Sequence, residues 1–301
     1  MAATSTSTST TLDLSRLPAP IIVEQKDFET ILAEMVARVR ELLPSFDATI
    51  DSDPAVKVLQ VAAYRELLIR QAFQDGGKQL MVAFATGDRL DHLGALVGVA
   101  RLVVTPASPV TGAAATRESD DVFRQRIVLA PEGFSVAGPE LAYVKHAKDA
   151  SADVLDASAT SPAPGEVLVS VLSATGDGTA PPALLDAVAA IVTDDAIRPL
   201  GDLVSVASAA IIDFAVTARL VTFAGPDITL VVAAARARLD AYLAFNRKLG
   251  RGITTSGIIA ALAVEGVHKV ALLAPIADIA CTPTEAANCS RILVTHGGFA
   301  A

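Results

Sequence analysis

Residues 166–192 read EVLVSVLSATGDGTAPPALLDAVAAIV, and this stretch indicates the fold class. Three valines at alternate positions from Val167 onward show the period of two that is typical of a β-strand with one buried face. The Gly-Asp-Gly triplet that follows predicts a turn. After Pro182 the apolar side chains recur at helical spacing, which predicts a helix. One short segment therefore contains both a strand and a helix.

The first hundred residues predict helices alone. Asp27 and Asp53 are side chains suited to cap a helix N-terminus, and Pro54 suits the first helical position. The second helix carries an apolar stripe and is expected to continue towards Phe84. Gly76-Gly77 interrupts it, and we expect a kink or a close contact there, since glycine costs about 1 kcal/mol in a helix interior.

The rest of the chain mixes strands and helices without strict alternation, which favours an α+β fold over a doubly wound sheet. Further strands are expected near residues 152–157, 203–206, 211–221, 267–273 and 291–295. The predicted organisation is a disordered or extended Ser/Thr-rich tail (1–16), a bundle-forming helical region (17–102), an α+β middle domain (103–215) and an α+β C-terminal domain (216–301).

Composition and charge exclude several classes of protein. The formal net charge of −9 repels phosphate backbones and argues against a nucleic-acid-binding protein. Residues 151–211 hold eight carboxylates against Arg198 alone, whereas residues 249–301 hold only six charged side chains. So few charges in residues 249–301 predict a core or a surface covered by a partner. No stretch is long and apolar enough for a membrane span, and the start of the chain does not resemble a secretion signal, so we expect a protein made in the cytoplasm.

The chain shows no motif for catalysis or for a cofactor. The four histidines lie in different predicted elements, and His268 and His296 are the two that a C-terminal sheet can bring together. The acid pairs Asp120-Asp121 and Asp194-Asp195 lie near helix ends, where carboxylates usually act as caps. In the charged helix near residue 118, Arg124 and Arg126 are both expected to form exposed ion pairs. Each pair should contribute less than about 1 kcal/mol to the free energy of unfolding. We therefore predict no catalytic, metal or cofactor site.

The two cysteines leave two alternatives. Cys281 and Cys289 flank a polar segment between two predicted strands, so we expect both on one loop, close enough to form a disulfide. In a reducing cytosol two free thiols are the more common state. We expect reduced thiols when the chain is first made.

Several motifs, taken in order, resemble the baseplate J family, the wedge proteins of contractile-tailed phages and of related bacteriocins and injection machines. No single motif is specific, but their order over residues 17–295 is. The chain departs from the family pattern at Gly76-Gly77, where the family helix tends to be continuous. The motifs are Leu17-Pro18-Ala19-Pro20, Asp27-Phe28-Glu29, Asp53-Pro54, Tyr64-Arg65-Glu66, Arg70-Gln71, residues 85–94 (ATGDRLDHLG), Val99-Ala100-Arg101, residues 118–127 (ESDDVFRQRI), Tyr143, residues 198–202 (RPLGD), Gly250, Ser256-Gly257-Ile258-Ile259 and Gly266-Val267.

The resemblance implies a structural subunit without enzymatic activity or cofactor. It implies these partners: a second copy of the chain, a smaller wedge protein similar to tail protein I, a lysozyme-like wedge protein, and the neighbouring wedges, hub and sheath, with neither nucleic acid nor a membrane span. It places the chain in the baseplate of a virion or tail particle that is assembled in the host cytoplasm. In such a baseplate the wedges form a ring, and this ring rearranges on host contact and triggers sheath contraction. The apolar stripes predict these interface residues: Val56, Leu59, Ala63, Leu67, Leu90 and Leu93.

Two other functions stay open at this point. A hydrolytic enzyme of the tail should show a pocket with converging titratable groups. A receptor-binding module should be rich in exposed aromatic side chains, and aromatic residues make up only 4% of the sequence, without tryptophan.

Overall fold

The computed structural model describes residues 14, 17–47, 50, 52–109, 111–135, 137–225 and 227–300. The chain divides into two compact units, Leu12–Ala100 and Arg101–Ala301. The predicted tail, residues 1–16, lies outside the described residues except for Leu14. The fold is α+β with N-terminal helices, as the sequence predicts.

The first unit is helical. The side chain of Asp27 accepts a hydrogen bond from Thr30 N at 2.7 Å, and that of Asp53 accepts one from Ala55 N at 2.7 Å, so both predicted caps are confirmed. The first two helices pack against each other. The helices are α1 (Phe28–Leu42), α2 (Pro54–Lys78) and α3 (Asp88–Ala95).

Helix α2 passes through Gly76 and Gly77 and ends at Lys78, short of the expected end near Phe84. The side chain of Gln79 accepts a hydrogen bond from Thr86 N at 3.0 Å, which stabilises turns where the helix was expected to continue. A kink or a close contact with another helix was expected at the glycine pair; the close neighbour is instead Ile22, in the extended segment before α1. A Cβ atom on Gly77 would clash with Ile22 Cδ1, whereas one on Gly76 would meet nothing within 4 Å.

The second unit begins with a short antiparallel ribbon that the sequence did not predict and continues with a three-stranded sheet. In that sheet β3 and β4 are antiparallel, and β4 pairs in parallel with β5 after a helical crossover. Two helices cover one face and form an apolar core with it. The elements are β1 (Val103–Thr105), β2 (Thr116–Arg117), α4 (Asp120–Leu129), a 3-10 helix (Ala130–Phe134), α5 (Glu140–Ala150), β3 (Val154–Thr160), β4 (Glu166–Ser173), α6 (Pro182–Val192) and β5 (Leu203–Ser208).

A second three-stranded sheet follows, with the order β7-β6-β8. Its central strand pairs antiparallel with β7 and parallel with β8. Two helices pack on its inner face around Val216, Ala218 and Leu220, which are fully buried. The elements are β6 (Ala210–Thr222), α7 (Ile228–Asn246), α8 (Thr255–Leu262), β7 (Val267–Ala274) and β8 (Glu285–Phe299).

Strand β8 is much longer than the predicted strand over residues 291–295. It begins at Glu285, and a bulge at Ser290 shifts its register against β6. The first part of the strand, residues 285–290 (EAANCS), carries no regular apolar alternation, and the bulge separates it from the predicted part. The domain boundary expected between residues 215 and 216 falls inside β6, and the predicted domain division stays a prediction.

Candidate functional site

Helix α2 has one side that the chain itself covers. Val56 and Ala63 are buried there, and Leu59 and Leu67 are half-buried on the same side. These four residues form the predicted stripe. The structure therefore places them towards the chain's own contacts.

The two predicted interface residues of α3 also point inwards. Leu90 is fully buried, and Leu93 is half-buried. Contact of these side chains with a partner stays a prediction. Side chains that the chain already buries are poor anchors for a partner, so an assembly surface is better sought among exposed ones.

The opposite side of α2 is exposed and apolar. At 100° per residue, its side chains from Val58 to Phe73 cover an arc of about 140° in which Arg65 is the only charged residue. Ile69 is 58% exposed and Phe73 is 70% exposed. We call this surface the outer face of α2; its members are Val58, Val61, Ala62, Arg65, Leu68, Ile69, Ala72 and Phe73.

The sequence analysis missed Gln74, which fixes the segment before α1. This side chain is 8% exposed, and its Oε1 accepts hydrogen bonds from Ile22 N at 2.8 Å and from Val23 N at 3.2 Å. Its Nε2 donates to Pro20 O at 2.7 Å. The extended segment therefore lies along α2, and the glycine at position 77 lets the side chain of Ile22 approach.

A network of charges lies at the start of the second unit. The Arg126 guanidinium pairs with Glu118 and with Asp149, the latter at 2.7 Å from Nη2 to Oδ1. Glu118 Oε1 also accepts a hydrogen bond from Leu102 N at 2.9 Å. Arg101 Nη2 lies 2.8 Å from Asp120 Oδ1. These contacts attach the first residues of the unit to α4.

Both arginines form ion pairs, as predicted, but the pair of Arg126 is buried rather than exposed. Arg124 pairs with Asp121 at 2.6 Å, because residues three apart meet on a helix, and that carboxylate is 87% exposed. Arg126 and Glu118 are instead almost fully buried, with 7% and 3% of their side chains exposed. The exposure on which a mild effect depends is therefore absent at Arg126.

A cavity of about 390 Å³ lies beside α5 in the second unit. Its titratable lining residues are Glu140 and Tyr143. The Tyr143 hydroxyl donates to Asp202 Oδ2 at 2.8 Å, and burial together with this carboxylate raises the pKa of the tyrosine. The hydroxyl thereby fixes the loop before β5, where Arg198 Nη1 also donates to Asp202 O at 3.1 Å.

The histidines of the C-terminal sheet lie on β7 and β8, the two strands that flank β6. His268 lies edge-on to Phe223, with 5.1 Å between ring centroids, and His296 Nε2 lies 3.1 Å from Thr222 Oγ1. Within the described ranges, no three His, Cys, Asp or Glu side chains come together as a metal site would require. In the same ranges, no helix combines the length and apolarity that a membrane crossing requires.

The two cysteines do not share a loop. Cys281 precedes β8, whereas Cys289 lies within that strand, opposite Phe214 of β6, so the expected loop position of Cys289 is wrong. Both thiols are free and half-buried, and burial raises the pKa of each. A disulfide between them stays a prediction.

Comparisons with known proteins confirm the resemblance. Three family models match in order along the chain: the Baseplate J-like N-terminal domain over residues 51–108, the Baseplate J-like central domain over residues 135–208 and the Baseplate J-like protein C-terminal domain over residues 214–295. The chain is 42% identical over 296 residues to "Baseplate protein J" of Escherichia phage P2, with 95% of this chain and 98% of that protein covered.

Proposed function

Since this chain belongs to the baseplate J-like family, we propose that it is a structural subunit of a phage-type baseplate wedge. The observation that carries this proposal is the ordered match of all three family domains, together with a relative that is covered almost end to end. The role is non-enzymatic. In support, Tyr143, the tyrosine that lines the cavity beside α5, already donates to a structural carboxylate.

The outer face of α2 is the surface we assign to helical partners in the wedge. A helix that is apolar on two sides requires a partner on each, and among the described residues α1 and the extended segment occupy one side while the other stays exposed. Burying Ile69 or Phe73 would contribute about 1.5–3 kcal/mol each. This amount is sufficient for a few anchors to dominate the contact.

The finer assignments follow the family. The partners are a second copy, a smaller wedge protein similar to tail protein I, a lysozyme-like wedge protein, and the neighbouring wedges, hub and sheath. The protein is located in the baseplate of the tail particle, after assembly in the host cytoplasm. Host contact rearranges packed interfaces that have two stable arrangements, and the sheath then contracts.

The test is a charge on the outer face of α2. Ile69→Asp should leave the full-length protein folded but prevent its incorporation into particles, because an unpaired charge in an apolar contact costs several kcal/mol. Gln71→Asp adds the same charge to the same helix on an exposed position beside that face, and it is the matched control. Leu67→Asp is less suitable, because Leu67 is half-buried within the chain.

The measurement is complementation of particles that lack the chain, followed by co-purification with the other tail proteins. We expect Gln71→Asp to be incorporated into particles and Ile69→Asp to be absent from them. Both variants should give the same circular dichroism spectrum as the parent protein. Normal incorporation of Ile69→Asp would refute the assignment of this face.

A further inference from the structure

One motif of the sequence, residues 198–202 (RPLGD), lies in the loop between α6 and β5. The Arg198 guanidinium donates to Thr193 O and to Asp202 O, both at 3.1 Å. It also pairs with Asp195, at 2.6 Å from Nη2 to Oδ1. Since Thr193 follows the end of α6 and Asp202 precedes β5, this one side chain holds the two ends of the loop together.

The tip of the loop is a closed turn that packs on the residues before α5. Asp202 N donates to Pro199 O at 3.2 Å, which places Leu200 at the corner of the turn. The Asp202 carboxylate accepts a hydrogen bond from the Tyr143 hydroxyl. Gly138, with a φ of +73°, leaves room for Pro199, because a Cβ atom there would lie 2.6 Å from Pro199 Cγ. The chain itself therefore fixes the position of the turn.

These contacts do not bury the leucine of the motif. Leu200 is 96% exposed, and Leu203, the first residue of β5, is 70% exposed. A single exposed leucine is common on protein surfaces and requires no special role. Here, however, two of them lie three residues apart, and one occupies a turn corner, where glycine, asparagine, aspartate and proline are usual. A fixed loop also loses little conformational freedom when a partner covers it.

The surroundings of the two leucines are acidic. Glu166 is the register partner of Leu203 on β4, and Asp194 and Asp195 lie on the loop; all three carboxylates are exposed. Arg198 is the only Lys or Arg in residues 151–211, and it already pairs with Asp195. The lysines of α5 pair with other carboxylates: Lys145 with Asp149 and Lys148 with Asp156. An apolar tip with surplus negative charge is complementary to an apolar pocket that Lys or Arg surround.

We propose that this tip docks in an apolar pocket, surrounded by Lys or Arg, on a tail protein other than the chain itself, and this inference rests on the proposed function. We call it the Leu200 anchor; it consists of Leu200, Leu203 and Glu166. Copies with a net charge of −9 repel each other at an acidic surface, which favours a basic partner over a second copy. The Leu200 anchor belongs to the second unit, whereas the outer face of α2 belongs to the first.

The first test changes the anchor in the full chain and measures incorporation into particles that lack the chain. Leu200→Asp should reduce incorporation by about tenfold or more, which corresponds to the loss of one buried leucine. Leu200→Met keeps an apolar side chain of similar volume and should be incorporated like the parent protein. Since this side chain is 96% exposed, both variants should keep the circular dichroism spectrum of the parent. Glu166→Lys should also reduce incorporation, and Glu166→Gln should reduce it less.

The second test identifies the protein that covers the anchor. The photoreactive amino acid p-benzoylphenylalanine is placed at Ala196, an exposed position of the same loop, so that Leu200 stays intact. The control carries it at Leu230, which is 70% exposed on α7. After irradiation of whole particles, position 196 should be cross-linked to another tail protein, close to Lys or Arg residues of that protein. Position 230 should not give this product.

Together the two tests decide the question. Loss of Leu200→Asp from particles, normal incorporation of Leu200→Met and a cross-link from position 196 to another tail protein support the proposal. Normal incorporation of Leu200→Asp overturns it, and so does a cross-link to a second copy alone or the absence of a cross-link. If Leu200→Asp enters particles while Ile69→Asp does not, this contact is wrong and the proposed function stands.

Discussion

The buried pair of Arg126 with Glu118 gives the sharpest prediction about stability. Arg126→Met removes the cation and leaves the Glu118 carboxylate with 3% of its side chain exposed. Its Oε2 already has no hydrogen-bond partner among the described residues. The hydrogen bond from Leu102 N to Oε1 would remain.

The magnitude follows from burial. Removing one partner of a buried ion pair typically costs about 3–5 kcal/mol, because the other charge stays in a poorly solvating environment. Arg124→Met on the same helix breaks a pair whose carboxylate is largely exposed, and should cost below about 1 kcal/mol. The combination of Arg126→Met with Glu118→Gln should recover most of the loss. The glutamine keeps an oxygen for Leu102 N and carries no charge.

The assay is urea unfolding of the full chain, followed by circular dichroism and by hydrogen exchange of peptides from α4 and α5. The two compact units can unfold separately, so the transition is assigned by the exchange of these peptides. A free energy of unfolding for Arg126→Met within about 1 kcal/mol of Arg124→Met would contradict the reasoning. So would a double variant that is no more stable than Arg126→Met.

Three further outcomes are expected. Gly76→Ala should raise the free energy of unfolding by about 0.5–1 kcal/mol. Gly77→Ala should not raise it, because the added Cβ would displace the side chain of Ile22. Urea unfolding of the two variants measures the difference. Burial lowers the pKa of His146, so the unfolded chain binds this proton more readily. The contribution of neutral His146 to the free energy of unfolding is therefore fully present above a pH of about 6.5 and is lost as the pH falls below that value. When unfolding is measured from pH 8 to pH 5, His146→Gln should lose less of its free energy of unfolding than the parent protein. Both cysteines should be labelled in denatured, unreduced protein, and the absence of label would establish the disulfide.

Local rules in the sequence predicted much of the fold. The caps at Asp27 and Asp53 form as expected, since capping depends on the two or three residues that follow. The strand over residues 166–173 has the predicted bounds, because its alternation is regular. Strand β8 was underestimated because its bulge and its polar first half depend on pairing with β6.

The candidate sites depended more on tertiary contacts. The stripe of Val56 and Ala63 was predicted as apolar, but its spacing does not show whether the chain or a partner covers it. Gln74 carries no sequence signal for its role, because the backbone groups it binds lie about 50 residues earlier. The burial of Arg126 depends on α5, which supplies Asp149.

The parallel register of β6 with β8 has a consequence for the order of folding. Arg219 pairs with Thr295, 76 residues later, whereas α1 and α2 are neighbours joined by a short connection. Closing a long loop before its contacts form slows folding, and helix pairs with local contacts form much faster. We therefore expect the helical unit to form while the C-terminal sheet is still open. During that interval the outer face of α2 is already available, so a partner helix can be captured before the rest of the chain has folded.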